Sequence, residues 1–201
     1  GVLLVKSGCG SAKTKGVLKN ILYSGNILKE NRKYKRALYI TNRRGVIRCN
    51  ADELLFEYYL KAGLSEEEAL QVRSVYMPLQ DWLSSCAPSL EQLFNNDMSP
   101  KFDIVIIDEC EQVALEVRKD KHNTARNLLT LCGHAKLCVL LDADASNKLS
   151  GWLGTQISKF QGNEETRYLL RNNLDYGEDM NVYQAKSEKE IINTLFTLLD
   201  N

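Results

Sequence analysis

Three stretches combine residue types and spacings that could do chemistry: Ser7-Gly8-Cys9-Gly10-Ser11-Ala12-Lys13-Thr14, Asp108-Glu109 and Asp142-Ala143-Asp144. The first follows the apolar run 2–5 and precedes the helix-compatible stretch 15–22. A glycine-containing turn in that setting lets backbone N–H groups curl around phosphate oxygens, and the start of the helix adds its positive end. Lys13 supplies a mobile ammonium for the β- and γ-phosphates, and Thr14 a hydroxyl for Mg²⁺. The stretch departs from G-x-x-x-x-G-K-[ST] at Ser7 and Ala12, while Gly8 and Gly10 keep the loop pliable. A methyl group at Ala12 crowds the phosphate, so the expectation is retained function with weaker nucleotide affinity. The plain alternative is a strand-to-helix turn with a solvated Lys13.

Asp108 and Glu109 end the most apolar run of the chain, 102–107. Adjacent carboxylates at the tip of a buried strand are costly unless a cation or a reaction needs them. The expected roles are Mg²⁺ binding through water for Asp108 and polarisation of an attacking water for Glu109. The bland alternative is a helix cap after a core strand. Asp142 and Asp144 follow the buried run 137–141 in the same way, and either sense a γ-phosphate or cap the next helix. Thr41-Asn42-Arg43-Arg44 follows the apolar run 37–40. Arg43 and Arg44 are candidate phosphate contacts or a basic surface turn.

The elements that must position these groups follow from periodicity. Continuous apolar runs at 37–40, 102–107 and 137–141 predict buried parallel strands covered on both faces. Polar residues directly after such strands lie at the carboxyl edge of the sheet, where open α/β proteins bind ligands. Residues 29–36 read as a basic loop, and 50–62 as a helix capped by Asn50 and stopped by Gly63. Ser65-Glu66-Glu67-Glu68 has the form of a capping box that opens a short acidic helix, with a strand expected over 72–77. Pro88-Ser89-Leu90-Glu91-Gln92 reads as a helix start with Ser89 as cap, a place that can also hold a nucleic-acid phosphate. Helices are expected over 123–132 and 149–160, strands over 168–170 and 181–184, and a capped amphipathic helix over 187–199.

Composition narrows the class. A chain of 201 residues with 44% hydrophobic and 26% charged residues suits one large globular domain. No apolar run approaches the roughly 20 residues that span a bilayer, so no membrane partner is expected. Lys and Arg number 26 against 26 Asp and Glu, so no global field draws in nucleic acid and any such contact must be local. The six cysteines lack C-x-x-C spacing and a His cluster, which points to reduced thiols, an intracellular setting and no zinc. The absence of an initiator Met and the start inside a strand suggest a piece of a longer protein.

Four stretches taken together resemble the first RecA-like domain of superfamily 2 helicases, and more narrowly the origin-of-replication-binding family of herpesvirus, plasmid and phage replication helicases. Residues 7–14 are similar to its phosphate-binding loop. Tyr39-Ile40-Thr41-Asn42-Arg43 is similar to its motif Ia, Cys86-Ala87-Pro88-Ser89-Leu90 to its Cys-x-x-Ser-Leu segment, and Ile106-Ile107-Asp108-Glu109-Cys110-Glu111-Gln112-Val113 to its motif II. Leu141-Asp142-Ala143-Asp144 also resembles its motif III. The likeness runs in order over about residues 2–146; Ser7, Ala12 and Asn42 depart from it.

That resemblance implies an α/β, RecA-like P-loop NTPase domain with a mostly parallel central sheet and helices on both faces, and ATP with Mg²⁺ as cofactors. It implies that Gly8, Cys9, Gly10, Ser11, Ala12, Lys13 and Thr14 hold phosphate, that Thr14 and Asp108 serve the metal, and that Glu109 serves the attacking water. Asp142 and Asp144 would link nucleotide state to DNA, and Thr41, Arg43 and Ser89 would touch the DNA backbone. A second RecA-like domain would complete the ATP site with arginines, and no such unit is legible after residue 146. The isolated domain is therefore expected to bind Mg-ATP and hydrolyse it slowly. The setting implied is a bacterial cytoplasm or the replication compartment of a virus or phage, with other replication proteins nearby. Two alternatives stand beside this reading: a degenerate P-loop module that binds nucleotide or a partner protein without turnover, and a P-loop ATPase of another lineage.

Overall fold

The computed structural model describes residues 1–7, 13–19, 36–47, 53–61, 63–74, 82–94, 101–119, 123–162, 167–172 and 182–184. Seven strands form one sheet: β1 (Val2–Ser7), β2 (Ala37–Thr41), β3 (Trp82–Cys86), β4 (Ile104–Asp108), β5 (Leu137–Asp142), β6 (Arg167–Asn172) and β7 (Val182–Gln184). Their order is β3-β2-β4-β5-β1-β6-β7, and every pairing is parallel. β1, the strand before the glycine-containing stretch, and β4, the strand ending in Asp108, are thus separated by β5, so three candidate tips stand side by side at one edge. This is an α/β, RecA-like arrangement.

The continuous apolar runs are explained by coverage of both faces. Val2, Leu38, Ile40, Val105, Ile107, Cys138 and Leu140 point to one face and share a buried cluster with the helices packed there. Those are α5 (Cys110–Lys119), α6 (Thr124–Gly133), α7 (Ser150–Phe160) and a 3-10 helix over Ala87–Phe94. The alternate residues Leu3, Val5, Tyr39, Ile106, Val139 and Leu141 are buried on the opposite face. Helix α1 (Lys13–Lys19) buries Val17 and Leu18, and packs on α3 (Glu53–Lys61), which packs on α4 (Glu66–Ser74). None of their residues belongs to the first cluster, so helices cover both sides of the sheet. Each fully buried aliphatic side chain here contributes about 1.5–3 kcal/mol.

Side-chain ties hold the helical layer in place. The Arg118 guanidinium of α5 lies 4.6 Å from the Trp152 ring centroid of α7 and donates to the Lys148 carbonyl at 2.6 Å. Gln161 Nε2, just past α7, donates to the carbonyls of Cys132 (2.8 Å), in the last turn of α6, and of Ala135 (3.0 Å), just after it. At the amino edge of the sheet Asp103 accepts from the Arg36 N–H at 3.2 Å and pairs with Lys136 at 3.2 Å. That edge is fastened, and Thr14, Asp108, Glu109, Asp142 and Asp144 lie at the other.

Several expectations are corrected. The strand expected over 72–77 does not begin at Val72, because α4 continues through Ser74. Its start is the predicted capping box: Ser65 Oγ accepts from the Glu68 N–H at 3.3 Å and Glu68 Oε2 accepts from the Ser65 N–H at 2.9 Å. The third strand is Trp82–Cys86 instead, whose Ser84 and Ser85 break the apolar pattern. Ser89 does not cap a helix, since the 3-10 helix already begins at Ala87. A short helix α2 (Arg44–Ile47) follows β2, where a basic surface turn was one of the two alternatives. The helix expected over 187–199 and most of the loop over 29–36 lie outside the described residues. No helix among the described residues is long and apolar enough to cross a membrane.

Candidate functional site

The site is built at the carboxyl edge, from β4 outward. Asp108 ends that strand only 4% exposed, so its carboxylate needs partners. Oδ1 accepts from the Thr14 hydroxyl at 3.1 Å and from the Glu109 N–H at 3.1 Å. Oδ2 accepts from the Tyr39 hydroxyl at 2.6 Å. The sheet explains how residues 94 positions apart meet: β1 delivers the chain to α1 beside β5, and β4 is the next strand along. Thr14 sits in the first turn of α1, which places its hydroxyl over the tip of β4.

Glu109 has a φ of 51°, the left-handed region that non-glycine residues rarely adopt. Its carbonyl accepts from the N–H groups of Gln112 (2.9 Å) and Val113 (3.1 Å), so it closes the first turn of α5. The backbone reverses there within one residue, from a buried strand into a helix. Strain of this kind costs on the order of 1–3 kcal/mol and gathers at functional positions. Between the two acids that flank it, Cys110 is fully buried; burial pushes its thiol well up, and the carboxylates of Asp142, Glu111 and Asp108 add to the effect. It is a packed thiol, not a nucleophile.

The tip of β5 is organised differently. Asp142 Oδ2 accepts from the Glu111 N–H at 2.8 Å, and Oδ1 from the Asp144 N–H at 2.9 Å. Asp142 therefore does cap a helix, but the preceding α5 rather than the next one. Glu111 reaches back to the same loop with four bonds. Oε1 accepts from the Ser146 N–H (2.6 Å), the Ser150 N–H (3.0 Å) and the Ser150 hydroxyl (2.6 Å), and Oε2 from the Ser146 hydroxyl (3.1 Å). Burial alone would raise the Glu111 carboxyl; the donors of Ser150 and Ser146 outweigh it and hold the group below its ordinary value. Lys6, the penultimate residue of β1, donates to the Ala145 carbonyl at 3.1 Å. Residues 142–150 are thus tied to both β1 and α5.

A cleft of about 460 Å³ opens over these tips and is lined by Thr14, Asp108, Glu109, Glu111, Asp142 and Asp144, with Val46, Leu115 and Leu149 among the apolar residues at its wall. This size suits a small-molecule site. Sequence reasoning placed Thr14, Asp108, Glu109, Asp142 and Asp144 in one site, and all five line this cleft. Gly8, Cys9, Gly10, Ser11 and Ala12 lie outside the described residues, as does the Lys13 side chain, although Lys13 opens α1. Arg43 and Arg44 are exposed beyond β2, and Ser89 is half-buried, accepting from the Cys86 thiol at 3.1 Å. Thr41 is fully buried, and its hydroxyl has no partner among the described residues. Burial removes that side chain from reach of a strand of DNA, a correction to its expected backbone contact. Tyr39, Glu111 and Ser150 are residues at the site whose roles sequence reasoning missed. A tyrosine within an apolar strand reads as core, and Ser150 as an ordinary helix residue.

The donor set fits Mg²⁺. Among the described residues no cluster of three or more His, Cys, Asp or Glu side chains forms a metal cage. Magnesium does not require one, because it keeps waters and takes one or two carboxylates plus phosphate oxygens. A hydroxyl and a carboxylate in contact, both hard oxygen donors, would supply the protein's share.

No protein-family model matches this chain, and no curated protein matches it.

Proposed function

We propose that this chain is a Mg-ATP-binding domain, the first RecA-like half of a DNA helicase motor that acts in replication. The observation that carries the nucleotide part is the 3.1 Å contact between Thr14 and Asp108. In P-loop NTPases the Mg²⁺ is held by the hydroxyl residue of the phosphate loop and by an aspartate at the tip of a neighbouring strand. The sheet order brings these two residues, 94 positions apart, to one edge, and the pairing of a hydroxyl with a carboxylate there is the donor set such a site requires. The bound ion would neutralise charge on the β- and γ-phosphates.

The chain's own residues divide the work. Lys13 binds the phosphates, Thr14 orients toward the ion, and Asp108 fixes that hydroxyl from below. Glu109, held at the cleft wall by its left-handed backbone, polarises the attacking water. Asp142 keeps α5 and the loop after β5 in register with that wall. Arg43, Arg44 and Ser89 hold the backbone of single-stranded DNA, contacts that position a strand without reading its sequence. The helicase and replication parts rest on the ordered resemblance of the motifs. A second RecA-like domain would supply the arginines that speed turnover.

Calorimetric titration with Mg²⁺ and a non-hydrolysable ATP analogue, run beside Lys13→Ala, tests the reading. Binding by the chain and its loss in the variant are expected. Absence of binding in both would favour the second reading, a degenerate module without turnover, toward which Ser7 and Ala12 point.

A further inference from the structure

We propose that Tyr39 is a positioning residue that sets the affinity of the Asp108 site for its divalent cation; the inference rests on the Mg-nucleotide reading above. Tyr39 lies on β2 opposite Ile106 of β4 and is fully buried. Asp108 stands two residues farther along β4, roughly 6.6 Å at the rise of a parallel strand. The phenol bridges that step along the face of the sheet and donates to Oδ2 at 2.6 Å. That separation falls in the short range of charge-assisted O–H···O⁻ bonds.

The two oxygens of Asp108 are consequently unequal. Oδ2 takes the short bond from the buried Tyr39 hydroxyl. Oδ1 carries longer contacts, from Thr14 and from the Glu109 N–H at 3.1 Å each, and is the oxygen at the Thr14 side. The Tyr39 bond stops the carboxylate from rotating about its Cβ–Cγ bond, so the oxygen beside Thr14 stays there. A phenylalanine would fill the same apolar space without a polar atom to satisfy, so packing gives no reason for the hydroxyl. Partners that orient metal-binding groups in this way typically alter metal affinity by about 10–100-fold when removed.

The test compares the 201-residue chain with Tyr39→Phe, and with Ile106→Val as a packing control at the register partner. Affinity for a non-hydrolysable ATP analogue is measured first in EDTA and then at rising free Mg²⁺. The expected result is a Tyr39→Phe affinity in EDTA within about twofold of the parent, with the half-saturating Mg²⁺ concentration raised about tenfold. Ile106→Val should leave both values unchanged. An unchanged Mg²⁺ requirement in Tyr39→Phe, an equal shift in Ile106→Val, or loss of the metal-free affinity would each overturn the positioning role while leaving the Mg-nucleotide reading intact. Failure of the parent chain to bind nucleotide under either condition would overturn both. A Tyr39→Phe/Asp108→Asn pair sharpens the result, since removing the hydroxyl should have no further effect once the carboxylate is gone.

Discussion

The tips of β4 and β5 look alike in sequence, each an apolar run closing on acids, yet they are used in opposite ways. Asp108 is bonded by the side-chain hydroxyls of Thr14 and Tyr39, with one backbone N–H from its own neighbour. Asp142 is bonded by two backbone N–H groups, those of Glu111 and Asp144. A hydroxyl can turn and share itself with a cation, whereas a backbone N–H at a helix start has a fixed direction and no other partner. The first tip is equipped to exchange partners and the second is architecture. The difference shows that carboxylates at one sheet edge are not a single acidic cluster, and that the donor type decides which of them is available.

The largest effect should come from the architectural side. Glu111→Ala removes four hydrogen bonds, two of them from backbone N–H groups, and leaves donors of the fully buried Ser150 with fewer partners. The single Ser150 hydroxyl proton can turn to the Ser146 carbonyl at 2.8 Å, which limits the damage. A loss of about 3 kcal/mol is expected, from roughly 1–3 kcal/mol for each buried donor left unpaired. Thermal unfolding should read this as a fall of about 6–12 °C. A fall of one or two degrees would mean that the loop after β5 does not depend on α5.

Asp108→Asn should do the reverse. The amide oxygen can still accept from Thr14, but the amide N–H then meets the buried Tyr39 hydroxyl, which must re-pair as an acceptor, so stability should fall by about 1–2 kcal/mol. The Mg²⁺ requirement for nucleotide binding should rise at least about tenfold. If the variant unfolds readily but binds metal-nucleotide as before, the two tips have been assigned the wrong way round. Asp142→Ala comes third: it strips the α5 cap and should cost about 1–2 kcal/mol, with the Mg²⁺ requirement little altered. An Mg²⁺ shift as large as that of Asp108→Asn would erase the distinction.

The asymmetry also explains what could be read from sequence. Strands β1, β2, β4 and β5 are legible because central parallel strands must be apolar on both faces, and their polar tips then fall at one edge by topology alone. Asp108 and Thr14 could be paired in advance because Asp108 directly follows such a run and Thr14 belongs to the Lys-Thr pair at the start of the helix after the first strand. The roles of Tyr39 and Glu111 were hidden, since their partners are 69 and 35–39 positions away and neither bond leaves a local pattern. β3 was missed because it is an edge strand in which Ser85 is buried, its hydroxyl donating to the Cys86 carbonyl at 3.3 Å, so its composition does not resemble the core. The strand expected over 72–77 failed for a related reason. The Ser65 capping box starts a helix whose continuation through Val72 outweighs the β-propensity of single residues.

The smallest effect tests the same contrast through pH. The Glu111 carboxyl is held below its ordinary value of 4.5 by the Ser150 and Ser146 donors, which act against burial. A group whose folded value is depressed adds stability above its unfolded value, and that stability is lost as pH falls through the folded one. Glu111→Gln cannot titrate, so the stability gap between the parent and this variant should hold steady near neutrality and narrow as the pH drops below 4.5. Urea denaturation of both proteins at a series of pH values between about 3 and 7 reads the gap directly. A gap that stays constant to the acid end would show that the serine donors bind the amide as well as the carboxylate. The clasp between α5 and the loop after β5 would then be a matter of shape rather than charge.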